Sequence, residues 1–220
     1  ITEVAALAGY KIFIADINNE ILQNGLEKIK WSLSKLHEKG TLKESVDSIM
    51  SRITPVVNTD QNGNFTKEFE KAIKESDMFI EAIPERLDLK QALFKFIDKN
   101  RKPDTIMATN TSSLPITEIA SATSAPELVV GMHFFNPPPL MPLVEIVKGE
   151  KTSEETVKVV GEVARKMGKE TILVNKDIPG FLVTRIMFRI NEVGCWLVDN
   201  KIADVKDVDY TAIQVLQFPM

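Results

Sequence analysis

Two hydrophobic periodicities alternate along most of the chain. Short apolar runs rich in β-branched and aromatic residues predict buried strands, and apolar residues recurring every three or four positions predict amphipathic helices. On this basis we predict strands at 11–16, 52–57, 78–84, 105–111, 128–135, 143–149 and 171–175. Predicted helices cover 1–9, 18–39, 41 into the fifties, 65–76, 86–100, 116–122 and 153–167. This alternation is typical of an α/β protein with a mainly parallel sheet and helices on both faces.

The pattern changes after residue 176. Residues 179–203 predict one long helix with Pro179 in its first turn, where proline is tolerated, and a second helix begins near Asp204. Two helices cannot bury their apolar faces alone, so we predict that 177–220 is the start of an all-helical domain. Residues 1–176 then form the α/β domain.

The first residues are those expected of half a dinucleotide site. A helix ended by Gly9 leads into a strand that ends at Asp16. In a dinucleotide-binding βαβ unit this helix follows a glycine loop, and an acid about 20 residues past that loop binds the ribose 2′-hydroxyl. The sequence lacks the preceding strand and its G-x-G-x-x-G. Asp16 is the remaining half of the fingerprint, although an aspartate after a strand is also a common turn residue.

Charge, hydropathy and cysteine content limit the binding partners and the cellular compartment that we expect. The formal net charge is −4, both signs of charge are interspersed, and no basic block favours nucleic acid. No apolar run approaches the roughly 18 residues of a membrane span, and no signal peptide is visible. The single cysteine, Cys195, fits a reducing compartment, and we predict the cytoplasm, with the mitochondrial matrix and the peroxisome as alternatives. We expect Cys195 to be a buried small hydrophobe rather than a nucleophile.

His133 and Glu145 form the first candidate for chemistry. His133 is one of two histidines, and it and Glu145 are equally distant from Pro139. If the flanking strands fold back antiparallel, the two side chains lie opposite each other within pairing distance. A carboxylate bound to one ring nitrogen fixes the tautomer and makes the other nitrogen a better base. The alternative is a structural histidine beside a glutamate at a strand end.

Polar residues also follow two other predicted strands. Ser112, in ATNTSSL, lies at the carboxyl end of a predicted parallel strand, where open α/β sheets bind ligands, and it can donate to a substrate oxygen. The alternative is that residues 110–113 only form a turn and cap a helix. Glu85 ends the strand in AIPE and is followed by Lys90. Taken alone, that pair is an ordinary solvated helix start.

Together these segments resemble the 3-hydroxyacyl-CoA dehydrogenase family. The resemblance is carried, in this order, by ALAGYKIFIAD, EAIPERLDLKQALF, NTSSLPITEIA, HFFNPPPLMPLVEIV and KDIPGFLVTRI. It extends over nearly the whole chain, and the HFFNP and NTSSL segments are its most specific parts. It implies a Rossmann-type NAD-binding domain and the beginning of the helical domain through which the family dimerises; no metal is implied.

The resemblance also implies roles for individual residues. His133 matches the catalytic base, Glu145 the carboxylate that orients it, and Ser112 a serine that hydrogen-bonds the reacting oxygen. The residues that match dinucleotide contacts are Asp16, Glu85, Lys90 and Asn136. Those that match contacts with coenzyme A are Ser32 and Lys39. Thr184 departs from the family pattern, which has an asparagine near the substrate at this position.

The implied reaction is the NAD-dependent oxidation of (S)-3-hydroxyacyl-CoA to 3-oxoacyl-CoA, as in fatty-acid β-oxidation or short-chain acyl-CoA metabolism. One alternative is a related dehydrogenase of a small hydroxy acid or sugar acid, which would have no use for the arm between Ser32 and Lys39. Another is a folded but inactive fragment or a binding module, because the phosphate loop is absent from the sequence.

Overall fold

The structure, a computed structural model, describes residues 1–215 and 217. Its strands are β1 (Ile12–Asp16), β2 (Ile53–Val57), β3 (Met78–Glu81), β4 (Ile106–Thr109), β5 (Val129–Phe134), β6 (Leu143–Val147) and β7 (Glu170–Val174). Its α-helices are α1 (Thr2–Leu7), α2 (Asn19–Glu38), α3 (Val46–Met50), α4 (Lys67–Glu75), α5 (Leu87–Asn100), α6 (Ile116–Ala120), α7 (Glu154–Lys166), α8 (Val183–Asp199) and α9 (Val205–Gln214). The predicted order of strands and helices is confirmed.

The strands form two sheets. β1 pairs with β2 in parallel, and a five-stranded sheet has the order β3-β4-β5-β6-β7. Within the larger sheet only the β5–β6 pair is antiparallel. Within the part of the chain that the structure describes, β1 and β3 each keep one edge without a strand partner. The prediction of a mainly parallel α/β sheet is confirmed.

Both faces of the large sheet are covered, which explains why its strands are apolar along their length. Val129 and its neighbour Val130 on β5 belong to two different core clusters, because successive side chains of a strand point to opposite faces. One cluster includes residues of α4, α5 and α6, and the other includes residues of α1 and α7. The next residue of β5 must be glycine, because a Cβ at Gly131 would lie 2.8 Å from Val147 Cβ and 2.9 Å from Ile116 Cδ1. This close approach fixes the strand that carries His133.

Two predicted elements differ from the structure. The helix predicted from Thr41 into the fifties is only α3, because Ser45 caps its start by accepting the N–H of Ser48. The strand at 11–16 is not buried on both faces: Phe13 of β1 is 38% exposed. The reason is that β1 has a partner on one side only, so its apolar side chains are covered incompletely.

The first of the two C-terminal helices also begins later than predicted. Pro179 lies in a turn of residues 179–182, not in a helix, and α8 starts at Val183. Gly180 and Phe181 have φ values of +78° and +41°, which a right-handed helix cannot contain. The helix predicted near Asp204 is confirmed as α9.

α8 and α9 contact each other but leave much of their apolar surface uncovered. Ile186, Phe188 and Trp196 of α8 are exposed, and Cys195 is exposed as well, so its predicted burial is wrong. The physical reason is that Cys195 lies on the face of α8 that packs against no other described element. The division into domains at residue 176 stays a prediction.

Candidate active site

The centre of the candidate site is a buried pair on adjacent strands. His133 of β5 and Glu145 of β6 are direct partners in the antiparallel register. The distance from His133 Nδ1 to Glu145 Oε2 is 2.6 Å, and both residues are buried. The predicted juxtaposition is therefore confirmed, and its geometric origin is the symmetry of both residues about Pro139.

The protonation state of this pair follows from its hydrogen bonds. Glu145 Oε1 accepts the main-chain N–H groups of Leu182 (3.0 Å) and Val183 (2.9 Å). Burial works to raise the pKa of Glu145, but the bonds from His133, Val183 and Leu182 outweigh it and hold that pKa below its usual value. Glu145 is thus an ionised acceptor, so His133 Nδ1 must be the donor. In the neutral ring, the lone pair is on Nε2.

That lone pair meets Ser112. Ser112 Oγ lies 3.1 Å from His133 Nε2, and since Nε2 is the acceptor in this tautomer, the hydroxyl donates to it. Glu145, His133 and Ser112 thus form one continuous chain of hydrogen bonds. His133 Nε2 is thus a basic nitrogen beside the Ser112 hydroxyl group, and this nitrogen can accept a proton from a substrate hydroxyl.

Glu85 holds the loop that carries Ser112. Its Oε1 accepts the Thr111 hydroxyl at 2.6 Å and the main-chain N–H groups of Ser112 and Ser113 at 3.0 and 2.9 Å. Burial opposes ionisation, but these donors and Lys90 together lower the pKa of Glu85 to about 2. A charged Glu85 therefore anchors the Ser112 loop. A dinucleotide contact through its other oxygen stays a prediction.

The structure gives Lys90 a buried position below the Glu85 loop, and its dinucleotide contact stays a prediction. Its side chain is 1% exposed, and Nζ donates to Glu81 Oε1 at 2.6 Å and to the carbonyl of Ile83 at 3.2 Å. Thr109 donates to the second oxygen of Glu81 at 2.6 Å. Burying an ion pair requires such a full set of partners. Lys90 is therefore part of the foundation under the Glu85 loop, which sequence spacing alone did not indicate.

Two predicted cofactor residues lie at strand ends. Asp16 ends β1, and its Oδ1 accepts the N–H of Ile17 at 2.7 Å. Asn136 is exposed just after β5. Asn110, whose part the sequence did not reveal, accepts the N–H of Phe134 at 2.8 Å and so ties the Ser112 loop to the end of β5. Sheets of this class bind ligands at the carboxyl ends of their parallel strands, and the positions of Asp16 and Asn136 agree with this. Their contacts with the cofactor stay predictions.

The predicted coenzyme A arm lies on α2. Ser32 is half-buried against α1, and its hydroxyl donates to Glu3 Oε1 at 2.8 Å. The oxygen of this hydroxyl can still accept a hydrogen bond, so the assignment of Ser32 to coenzyme A stays a prediction. Lys39 is exposed at the C-terminal cap of α2. Trp31, on the same helix, is 66% exposed.

Thr184 lines a depression at the start of α8. Its volume is about 390 Å³, and Ser113, Pro179 and Phe188 line it as well. The other lining residues are Gly180, Arg185, Arg189 and Glu192. Ser113, next to Ser112 in the sequence, is the lining residue that belongs to the Ser112 loop. A substrate contact for Thr184 stays a prediction.

The turn before α8 supplies groups that the sequence did not indicate. Phe181 is fully buried, and its ring centroid lies 5.6 Å from that of His133 at an interplanar angle of 66°. Its φ of +41° costs roughly 1–2 kcal/mol for a residue with a side chain. The dipeptide Pro179–Gly180 is typical of a turn, but it does not indicate the contact between Phe181 and His133.

Residues 1–215 and 217 include neither a metal-binding cluster nor a membrane-spanning helix. In that part of the chain, no group of three or more His, Cys, Asp and Glu side chains is arranged to hold a metal ion. The same residues include no helix with both the length and the apolarity needed to cross a membrane.

A sequence profile, related sequences and a crystal structure all point to the same protein family. Residues 1–178 match the sequence profile described as 3-hydroxyacyl-CoA dehydrogenase, NAD binding domain. A probable 3-hydroxybutyryl-CoA dehydrogenase of Deinococcus radiodurans is 38% identical over 209 residues, which are 95% of this chain and 71% of that protein. One of Bacillus subtilis is also 38% identical, over 100% of this chain and 73% of its own length. The crystal structure of (S)-3-hydroxybutyryl-CoA dehydrogenase from Ralstonia eutropha superimposes with a TM-score of 0.88 at 33% identity, covering 99% of this chain and 73% of that one.

Proposed function

The chain belongs to the 3-hydroxyacyl-CoA dehydrogenase family, and from this premise we propose that it oxidises (S)-3-hydroxyacyl-CoA to 3-oxoacyl-CoA with NAD. The observation that carries the proposal is the hydrogen-bonded chain Glu145–His133–Ser112, which holds a basic nitrogen beside a hydroxyl group. Ser113, the residue after Ser112, lines a depression. The names of the relatives support the substrate class.

The described residues fit the cofactor. Asp16 presents a carboxylate at the end of β1, the position from which such an acid binds ribose hydroxyls. One oxygen of that carboxylate is held by the N–H of Ile17, which orients the group at the sheet edge. When bound, NAD supplies the acceptor for the hydride that leaves C3 of the substrate.

The chain's own residues handle the proton. His133 Nε2 accepts the proton of the 3-hydroxyl group, and Ser112 turns its hydroxyl from Nε2 to the same substrate oxygen. The imidazolium that forms is stabilised by Glu145, which lies 2.6 Å from Nδ1. Because both members of this pair are buried, their attraction is screened less than it would be in water. In the reverse direction, the imidazolium returns the proton to the oxygen of the reduced substrate.

The remaining assignments extend this function. Ser32, Lys39 and the exposed Trp31 on α2 are the groups of the arm that we assign to coenzyme A. Dimerisation through the helical segment would cover the exposed Ile186 and Phe188 of α8. The cytoplasm remains our proposal for the compartment, on the basis of the low cysteine content.

The test is acetoacetyl-CoA reduction by NADH in the full-length protein. His133→Ala should lower kcat by roughly 10²–10⁴-fold, the range for loss of a general base. Glu155→Ala, on the exposed surface of α7, is the control and should retain kcat. Activity confined to small hydroxy acids would overturn the substrate class. Failure to bind NADH would identify an inactive module instead.

A further inference from the structure

The turn before α8 contacts both members of the His133–Glu145 pair. The N–H groups of Leu182 and Val183 donate to Glu145 Oε1, while the other oxygen of Glu145 accepts from His133. One residue earlier, the edge-on ring of Phe181 packs on the imidazole. Three successive residues of one turn therefore restrain the carboxylate and the ring together.

The backbone of this turn is unfavourable without its contacts. Phe181 has a φ of +41° directly after Gly180 at +78°, yet a bulky residue occupies the position that glycine adopts most easily. Residues in such conformations persist where the surrounding structure holds them, and Phe181 is 0% exposed. The packing of the Phe181 ring therefore stabilises a backbone conformation that is unfavourable by itself.

Few other groups face the imidazole. Phe135 packs against it with a centroid distance of 4.7 Å. Ser112 meets Nε2, and behind Ser112 lies the charged Glu85. Neither Phe135 nor Ser112 contacts Glu145 through a hydrogen bond in the described part of the chain, so only the turn links both halves of the pair.

We propose that Phe181 is a positioning residue of the base. Its ring, with the N–H groups of Leu182 and Val183, holds Glu145 and His133 in the arrangement that leaves the Nε2 lone pair open to substrate. The base is therefore competent only while the turn that leads into α8 is docked on β5 and β6. The role of His133 as base rests on the proposed function, but the geometry can be tested without it.

The first test is the Nδ1–H proton of His133, observed by NMR without substrate and assigned by its loss in His133→Asn. In the wild-type chain it should give a low-field signal that exchanges slowly with water. Phe181→Leu should broaden or remove this signal. Phe94→Leu is the matched control, because Phe94 is equally buried and lies in the same core cluster, and it should leave the signal intact.

The second test is kinetic. Phe181→Leu should lower kcat by roughly 10–100-fold while KM changes by less than about threefold, since a small misplacement of a catalytic group has effects of this size. In the Glu145→Gln background the same change should cost less than about threefold, because the two residues act through one another. Should Phe181→Leu fail to fold, Phe181→Gly removes the ring and permits the same φ.

A persistent, slowly exchanging signal in a folded Phe181 variant would overturn the proposal, as would a kcat loss equal to that of Phe94→Leu. If the wild-type protein has no activity toward 3-hydroxyacyl-CoA, the proposed function fails, and the NMR comparison still decides the role of Phe181.

Discussion

Replacing Glu145 with glutamine tests the core of the mechanism, because it changes one atom at the His133 side of the carboxylate. The glutamine oxygen can still accept the N–H groups of Leu182 and Val183, so the turn before α8 keeps its anchor. The new NH₂ group then faces His133 Nδ1 across the 2.6 Å contact. Two donors cannot share that distance, so the ring adopts the tautomer with its proton on Nε2. That nitrogen is then no longer a base.

The magnitude follows from what is lost. Removing general-base catalysis should lower kcat by roughly 10²–10⁴-fold, which corresponds to about 3–5 kcal/mol of activation free energy. The fold loses one charge-assisted hydrogen bond and keeps two neutral ones, so the free energy of unfolding should fall by about 1–2 kcal/mol. A loss of activity much larger than the loss of stability is the signature of a mispositioned base.

The assay is the pH dependence of kcat together with urea unfolding. The residual activity should have its acidic limb at lower pH, because the imidazolium loses its anionic partner and releases its proton more readily. Glu155→Gln, on the exposed surface of α7, removes the same charge and should change neither curve. An unchanged pH profile in folded Glu145→Gln protein would show that the two side chains are not coupled.

Three further outcomes are expected. Any active form should prefer NAD(H), because Asp16 accepts from a 2′-hydroxyl and repels a 2′-phosphate; equal kcat/KM with NADP(H) would remove Asp16 from this role. Thr184→Asn should raise kcat/KM for a 3-hydroxyacyl-CoA by about 2- to 12-fold, the value of one neutral hydrogen bond; lower activity at unchanged thermal stability would show that the site is built around threonine. Glu85→Gln should make the free energy of unfolding depend less on pH between pH 4.5 and 2. The Glu85 carboxyl group has a pKa of about 2, so it stabilises the fold at any pH above its ordinary pKa of 4.5 and loses this contribution as the pH falls toward 2. Identical urea midpoints at every pH for both proteins would contradict the pKa shift.

The sequence predicts the catalytic pair well because its geometry is local. His133 and Glu145 are equally distant from the centre of one loop, so antiparallel pairing of the strands on either side places them opposite each other. Ser112 is predicted for a similar reason, since the end of a parallel strand in this class of sheet is a ligand edge.

Contacts between distant segments are what the sequence does not reveal. The bond from Ser32 to Glu3 depends on how α2 packs against α1, and periodicity carries no record of that partner. Lys90 has the spacing of a solvated helix start, but Glu81 and Ile83 enclose its ammonium group. The Pro179–Gly180 pair can indicate a turn, but it carries no record of the contact that Phe181 makes with His133.

The division of the strands into two sheets has a consequence for how the molecule opens. β1 and β2 contribute to a core cluster with α1, α2 and α3, which includes Leu33, Ile49 and Ile53, while Val56 of β2 belongs to the cluster of the larger sheet. The catalytic pair belongs to the larger sheet, whereas Asp16 ends β1 of the smaller one. Main-chain hydrogen bonds of a two-stranded sheet open to solvent at a lower cost in free energy than those of central strands, so amide hydrogens of β1 and β2 should exchange faster than those of β4 and β5. Local opening of β1 and β2 would then loosen the grip on the cofactor's adenosine half while the base remains assembled.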